Sequence, residues 1–427
     1  MVKSKKKYNF TYTANFSSKI IKPKNIKELR QYLNKPFTIV GNMRSYGDTF
    51  IGNGNHISLS NFNNILNLDI KRRVIEIESG ASLRDMNEKI FNKGLILPCM
   101  PGCKYVSIGG MIANNISGKL LTNNKIENFI HSIKLINNKN KIIECSRKKN
   151  KFFFYLSIGG KGRTGPIISA KIKLSKLNSS FIKQESLYFD SYDSFFELLI
   201  KLKKFRYGVC WVDFTKENFE GILFLGSHYN TKDKKHFFYY DLKLPSFVTY
   251  LISLIVKMKL TTIIFNYFFK TKNKLFKTNI LKLNNFFFPQ NKIVNWNEFF
   301  KPHGFFQFQI YLNQNNLPFI IDKIKKLMNI YQIFSNFSII KFHDNKNINK
   351  FSLSLDFPIY NNKKKIKKFI NYLVKKYDLE VELSKDIVLN KLNNSTLNKN
   401  DIFNQNNKMY FNKNFNSNIF KRLLKYD

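Results

Sequence analysis

PGCKYVSIGGMIANNISG, residues Pro101–Gly118, holds four glycines in eighteen positions, in a chain with only 18 glycines among 427 residues. Two more loops share the bias: GNMRSYGD at Gly41–Asp48 and IGGKGRTG at Ile158–Gly165. A pyrophosphate needs several backbone N–H groups converging on it. Glycine permits this because it tolerates positive φ and lets backbone approach closely. Short strand-like runs, PFTIV, HISLSNF and VIEIESG, separate the loops, so together they suit a dinucleotide cradle. No loop is a signature alone. Gly160, Gly162 and Gly165 fit GxGxxG, but Pro166 leads into a strand-like run, which argues against a doubly wound nucleotide fold. The absence of GKS or GKT sets aside a nucleoside triphosphatase.

Around these loops the pattern predicts a helix over Ile26–Leu33. A second helix follows an N-cap at Ser82 and stops at Gly94. A hairpin is expected to turn at Asn137–Asn140, and IGGKGRTG to lead into a strand. From about residue 180 glycine becomes rarer. Strands are expected near Ser186–Phe189, Gly208–Asp213, Gly221–Ser227, Gly304–Tyr311, Ser338–His343 and Ser352–Phe357. Helices are expected at Ser191–Leu202, Leu317–Met328 and Lys363–Tyr377. This order implies an α+β arrangement, an antiparallel sheet covered by helices.

The formal net charge is +44. A basic surface attracts phosphate, so nucleic-acid binding is one reading. Yet the lysines are scattered, and Lys, Asn, Ile, Phe and Tyr share A/T-rich codons, so compositional drift accounts for the charge. Nucleic-acid binding would also leave the three loops unexplained, and no nucleic-acid partner is expected. Four cysteines make no disulfide framework and no zinc set, which fits a reducing cytosol. The basic N-terminus lacks the apolar stretch of a signal peptide. Leu244–Phe269 is long and apolar, but Lys257 and Lys259 interrupt it. It reads as a buried or partly buried helix, or as one lying on a membrane surface with its lysines toward headgroups.

The order RSYGD, then PG and six residues before GG-x-I-A, then GGxGxTG-x-I, resembles the FAD-binding domain of the vanillyl-alcohol-oxidase (PCMH-type) superfamily. Trp296–Tyr311 (WNEFFKPHGFFQFQIY), Ile339–Phe342, Leu355–Ile359 and Leu383–Asp386 are similar to segments of its branch of polyprenyl-phosphate ribose oxidases. The resemblance implies a two-subdomain FAD-binding domain over 1–178 and an α+β cap domain over 179–378. A segment from 379 to 427 is then expected to return to the FAD domain.

It also implies site residues. Gly41, Asn42, Met43, Arg44, Ser45, Tyr46, Gly47, Asp48 and Thr49 would wrap the FAD pyrophosphate. Gly102, Ser107, Ile108, Gly109 and Gly110 would continue the cradle, with Asn114, Asn115, Ser117 and Gly118. Gly159 to Ile168 would close it near the adenine. Tyr46, Gln307, Gln309 and Lys341 would line the substrate pocket, and Lys385 would sit at the reactive face. Lys385 would polarise or deprotonate a sugar hydroxyl while its C–H hydride moves to flavin N5; pairing with phosphate or a carboxylate is the other role open to it. The expected substrate is a sugar alcohol or a polyprenyl-phosphate pentose oxidised at its 2′-hydroxyl. A separate NAD(P)H-dependent short-chain reductase would complete an epimerisation. The location expected is cytoplasmic, with peripheral contact at the inner membrane surface.

Arg44 stands where covalently flavinylated relatives carry a flavin-linking His, so the FAD is expected to be non-covalent. Cys103 is seven residues before Gly110, where some bicovalent relatives attach flavin through sulfur. Ser117 and Ser354 stand where the branch has a His and a Cys. An alditol or aldonolactone oxidase using oxygen is the competing reading.

Overall fold

The computed structural model of the chain describes residues 6–122, 124–230, 241–343, 349–360, 362–385, 388–389 and 405–423. Strands β1 (Ile20–Ile21), β2 (Phe37–Val40) and β3 (Asn55–Ser58) form a small parallel sheet in the order β1-β3-β2. Helix α1 (Ile26–Leu33) covers it, capped by the Asn25 side chain, which accepts from the Glu28 N–H at 2.9 Å. A five-stranded antiparallel sheet follows. Its strands are β4 (Ile65–Asp69), β5 (Val74–Glu78), β6 (Ile130–Ile136), β7 (Ile142–Ser146) and β8 (Ile167–Lys173), in the order β7-β6-β8-β5-β4.

Helices α2 (Leu83–Phe91), α3 (Ile108–Ala113) and α4 (Lys151–Ser157) belong to this unit. Ser82 and Asp85 close a capping box on α2, and Gly94 ends it with φ of 68°. The Asn137–Asn140 turn joins β6 and β7 as the sequence predicts. Two of the helices differ from the sequence reading: α3 lies inside the glycine loop Pro101–Gly118, and α4 inside the run before IGGKGRTG. Ile75, Ile77, Met86, Ile90, Ile108 and Ile133 share one buried core between sheet and helices.

The second half builds an eight-stranded antiparallel sheet. Its strands are β9 (Phe181–Phe189), β10 (Tyr207–Val212), β11 (Gly221–His228), β12 (Thr278–Lys282), β13 (Phe305–Asn313), β14 (Phe337–Phe342), β15 (Lys350–Pro358) and β16 (Glu380–Val381). Their order is β12-β9-β11-β10-β14-β15-β13-β16. Side chains alternate across a strand, and one face of the central strands is continuous apolar core. Phe306, Phe308, Ile310, Ile340, Leu353 and Leu355 pack there under α5 (Tyr192–Leu199), α8 (Leu317–Ile330) and α9 (Lys363–Tyr377). The whole chain is thus α+β, with both sheets of more than three strands antiparallel.

Leu244–Phe269 does not form one buried helix. It belongs to two helices, α6 (Ser246–Ile255) and α7 (Lys259–Leu275), which meet at 100° around Lys257. Among the described residues, no single helix is long and apolar enough to cross a membrane.

The chain's end lies against the N-terminal unit. Phe415 bridges to Phe37, the Asn414 amide donates to the Leu33 carbonyl at 2.9 Å, and Ser417 Oγ donates to the Thr49 carbonyl at 2.6 Å. Arg422, on α10 (Asn418–Leu423), grips Asp48 with two nitrogens at 3.1 and 3.2 Å.

Candidate active site

One cavity of about 800 Å³ lies between the glycine loops and the polar face of the eight-stranded sheet. Gly41 to Tyr46, Gly102, Ser107, Gly109, Gly110, Asn114, Asn115 and Ser117 line it, with Gly162, Gly165 and Ile167. At two of the glycines the loops are tightly packed. A Cβ on Gly41 would sit 2.6 Å from Ser107 Oγ, and one on Gly109 2.9 Å from Ser79 Cβ. Five buried polar atoms without a protein partner belong to lining residues: Arg44 Nε, Ser60 Oγ, Ser79 Oγ, Asn114 Oδ1 and Gln307 Oε1. Buried polar atoms are normally paired, so these are oriented for a polar guest.

The opposite wall is built by strand alternation. On β13, Gln307, Gln309 and Tyr311 face the cavity, while Phe306, Phe308 and Ile310 face the core. Register places Asp356 across from Gln307, and Ser354 across from Gln309. Gln307 Nε2 donates to Asp356 Oδ1 at 2.6 Å, and Ser354 Oγ donates to Gln309 Oε1 at 3.0 Å. On β14, Phe337, Ile339 and Lys341 point the same way. Lys341 Nζ is 3.5 Å from the Ser117 carbonyl, which links the two walls.

Lys385 follows β16 and enters the cavity with its Nζ 5.6 Å from the centre of the Tyr46 ring. Burial lowers its pKa, the nearby charge of Lys341 adds to the effect, and it falls to about 8 despite Glu382 and Asp356. Burial raises the Asp356 carboxyl against the Gln307 hydrogen bond and the Lys385 charge. It also pushes the Tyr46 phenol well up.

Several lining residues were not singled out from the sequence. Lys119 donates to the Phe286 carbonyl, and burial with the Lys341 charge brings it down to about 7. Burial would raise Glu382, but Lys161 and hydrogen bonds from Tyr311 and Ser384 hold it at about 2. Asp356 had a usable signal: in LSLDF, Ser352, Ser354 and Asp356 alternate with apolar residues, as Gln307 and Gln309 do. Lys161 lies in the IGGKGRTG loop expected at the cofactor, whereas Lys119 had no signal, being one lysine among many.

Nine residues expected at the cofactor do not line the cavity, Gly159, Gly160, Arg163 and Thr164 among them. Asp48 is turned away and bound to Arg422. The Gly47 N–H donates to the Ser384 carbonyl at 3.3 Å. Ile108 is buried in the core beneath α3, and Ile168 packs beside the core under the parallel sheet. Gly118 lies against the Met100 backbone, 2.7 Å from where its Cβ would be. Asp386 lies outside the described residues.

Residues 19–146, most of the loop-bearing unit, match the model of a family described as FAD binding domain. The chain carries an FAD-binding domain. The residues present fit that cofactor: glycine-bearing loops, unpaired buried donors and acceptors, and seven cations (Arg44, Lys119, Lys125, Lys161, Lys272, Lys341, Lys385) against two acids (Asp356, Glu382) on the cavity wall.

Over 141 residues the chain is similar to decaprenylphosphoryl-beta-D-ribose oxidase of Mycolicibacterium smegmatis, 28% identical, covering 32% of this chain and 31% of the relative. It is also similar to D-lactate dehydrogenase of Anaerostipes hadrus, 28% identical over 142 residues, 32% of this chain and 30% of the relative. L-gulonolactone oxidase of Scyliorhinus torazame is 27% identical over 157 residues, 35% of this chain and 36% of the relative. The match thus spans about a third of each relative.

Proposed function

We propose that the chain is an FAD-dependent oxidoreductase that oxidises a sugar hydroxyl, and that its substrate is the 2′-hydroxyl of a polyprenyl-phosphate pentose. The supporting observation is the single cavity shared by the FAD-binding loops and the Gln307–Gln309–Lys341–Lys385 wall. Bound FAD supplies the two-electron acceptor. The protein supplies position and a route for the proton. Gln307 and Gln309, two residues apart on one strand face, hold sugar hydroxyls. Lys385, its pKa lowered to about 8, takes the hydroxyl proton. Lys341 and Lys119 give a phosphate monoanion or dianion two cations on one side of the cavity. Trp296, Phe265 and Phe269 add apolar surface to the cavity wall.

The named activity of the L-gulonolactone oxidases favours a second reading, oxidation of an aldonolactone or alditol with oxygen. The cation-rich wall argues for an anionic substrate instead. Anaerobic stopped-flow mixing of the FAD-loaded protein with each substrate class decides between them. Flavin bleaching by a prenyl-phosphoryl pentose, and not by aldonolactone, alditol or D-lactate, is expected. Bleaching by the neutral sugars alone would overturn the assignment. So would retention of full bleaching by the phosphorylated substrate after Gln307→Ala with Gln309→Ala.

A further inference from the structure

Helices α6 and α7 are inside out. On a helix packed against a soluble core, apolar residues face inward and polar ones outward. Here the buried residues are small and polar: Thr249 (4% exposed), Ser253 (6%), Thr262 and Asn266 (3%). The exposed ones are large and apolar: Phe247 (67%), Tyr250, Leu251, Phe268 (65%) and Leu275 (74%) among them. Thirteen of the 28 large hydrophobic residues exposed among the described residues fall between Phe247 and Phe276. The inward face is specifically held. Asn266 Nδ2 donates to Asp213 Oδ1 at 2.7 Å, and Lys270 pairs with Glu220 at 2.8 Å. The two helices therefore sit in the orientation their polar contacts require, and the apolar face is left outward.

The charge around this face is one-sided. Residues 242–297 contain nine lysines and no Asp, Glu or Arg. Lys259, Lys272, Lys274 and Lys277 are exposed beside the apolar residues. Large apolar side chains ringed by lysines suit the headgroup boundary of an anionic bilayer, where the rings enter the acyl region and the ammonium groups reach phosphate. A second copy of this chain suits it poorly, because a symmetric contact would bring the same lysines together with no carboxylate between them. Spanning is disfavoured too. Four lysines, Lys259, Lys270, Lys272 and Lys274, fall within the 17 residues of α7 and would be carried into the acyl region.

We propose that the α6–α7 elbow is a monotopic docking surface for anionic phospholipid. Its inner edge is part of the cavity wall, through Phe265, Phe269 and Lys272. A lipid-tailed substrate lying in the leaflet thus meets the cavity without leaving the membrane. This delivery role rests on the oxidase reading; the docking itself does not.

The test is flotation of the full-length, FAD-loaded protein with two kinds of vesicle, phosphatidylcholine alone and phosphatidylcholine with phosphatidylglycerol, in the absence of any substrate. The protein is expected to float with the anionic vesicles and remain below with the neutral ones, and high salt should reduce its binding. Leu251→Glu with Phe268→Glu changes two exposed residues outside the cavity wall. It is expected to abolish flotation while FAD content and melting midpoint stay as in the parent. A parent protein that stays below with both vesicles overturns the proposal, as does a variant that floats like the parent. A concentration-dependent dimer that the variant dissolves, with no flotation, assigns the face to a second copy and also overturns it. Because no turnover is read, failure here is separate from failure of the oxidase reading.

Discussion

Lys341 and Lys385 face the same cavity, and the charge of one makes protonation of the other harder. Deprotonated Lys385 is the form that accepts a proton. Its pKa of about 8 means that this form grows tenfold per pH unit below 8 and saturates above. The rate of flavin bleaching should therefore climb with pH and level off past 8. Lys385→Ala and Lys385→Arg should each slow that step by about 10²–10⁴-fold, the range for loss of a positioned base, while FAD stays bound. Lys341→Ala removes the neighbouring charge, so the Lys385 pKa rises and the profile should move to higher pH. A profile that keeps its midpoint in Lys341→Ala, or normal bleaching by Lys385→Ala, would remove Lys385 from the proton's path.

At the scale of elements, the closing ion pair shows how a loop motif can serve the fold. Asp48 ends GNMRSYGD, yet it is buried against Arg422, with side chains 6% and 14% exposed. Arg422 also donates to the Leu389 carbonyl. Removing one partner of a buried pair leaves an uncompensated charge, a loss of about 3–5 kcal/mol. Arg422→Ala should lower the melting midpoint and weaken FAD retention, because Asp48 shares its loop with cavity residues. Asp48→Asn with Arg422→Gln should recover part of the midpoint, and a double variant no better than the single would mean the pair is not coupled. No local pattern announces this contact, since 374 residues separate its partners. Local signals were readable elsewhere. The alternation in GFFQFQIY placed β13 and its two inward glutamines, and the Ser82 cap placed the start of α2. Helix α4 was not readable, because FFFY is strand-prone and Asn150 makes no side-chain cap. Helix α3 was hidden by its own two glycines. The apolar run Leu244–Phe269 gave length and hydrophobicity but not the turn at Lys257, nor which face looks outward.

At the scale of the whole molecule, the cavity is where the chain's positive charge becomes a folding problem. Seven cations and two acids share its wall, and burial lowers the pKa of Lys119, Lys161, Lys341 and Lys385 alike. Without a guest these groups repel one another or give up protons. FAD would bring negative charge into this cavity, so cofactor binding and folding are linked. A non-covalent ligand at 100 times its Kd stabilises the folded state by about 2.7 kcal/mol. The attachment should be non-covalent. Arg44 has no atom able to form the histidyl link, and burial pushes the Cys103 thiol up, which disfavours the thiolate needed for a sulfur link. Acid precipitation of the yellow protein should release all flavin to the supernatant. The apoprotein left after gentle removal should melt several degrees lower than the reloaded protein. That gap should narrow as salt rises, since ions screen the repulsion that the cofactor relieves. Flavin retained in the acid pellet would point to Cys103. A gap that does not change with salt would mean that shape, not charge, couples the cofactor to the fold.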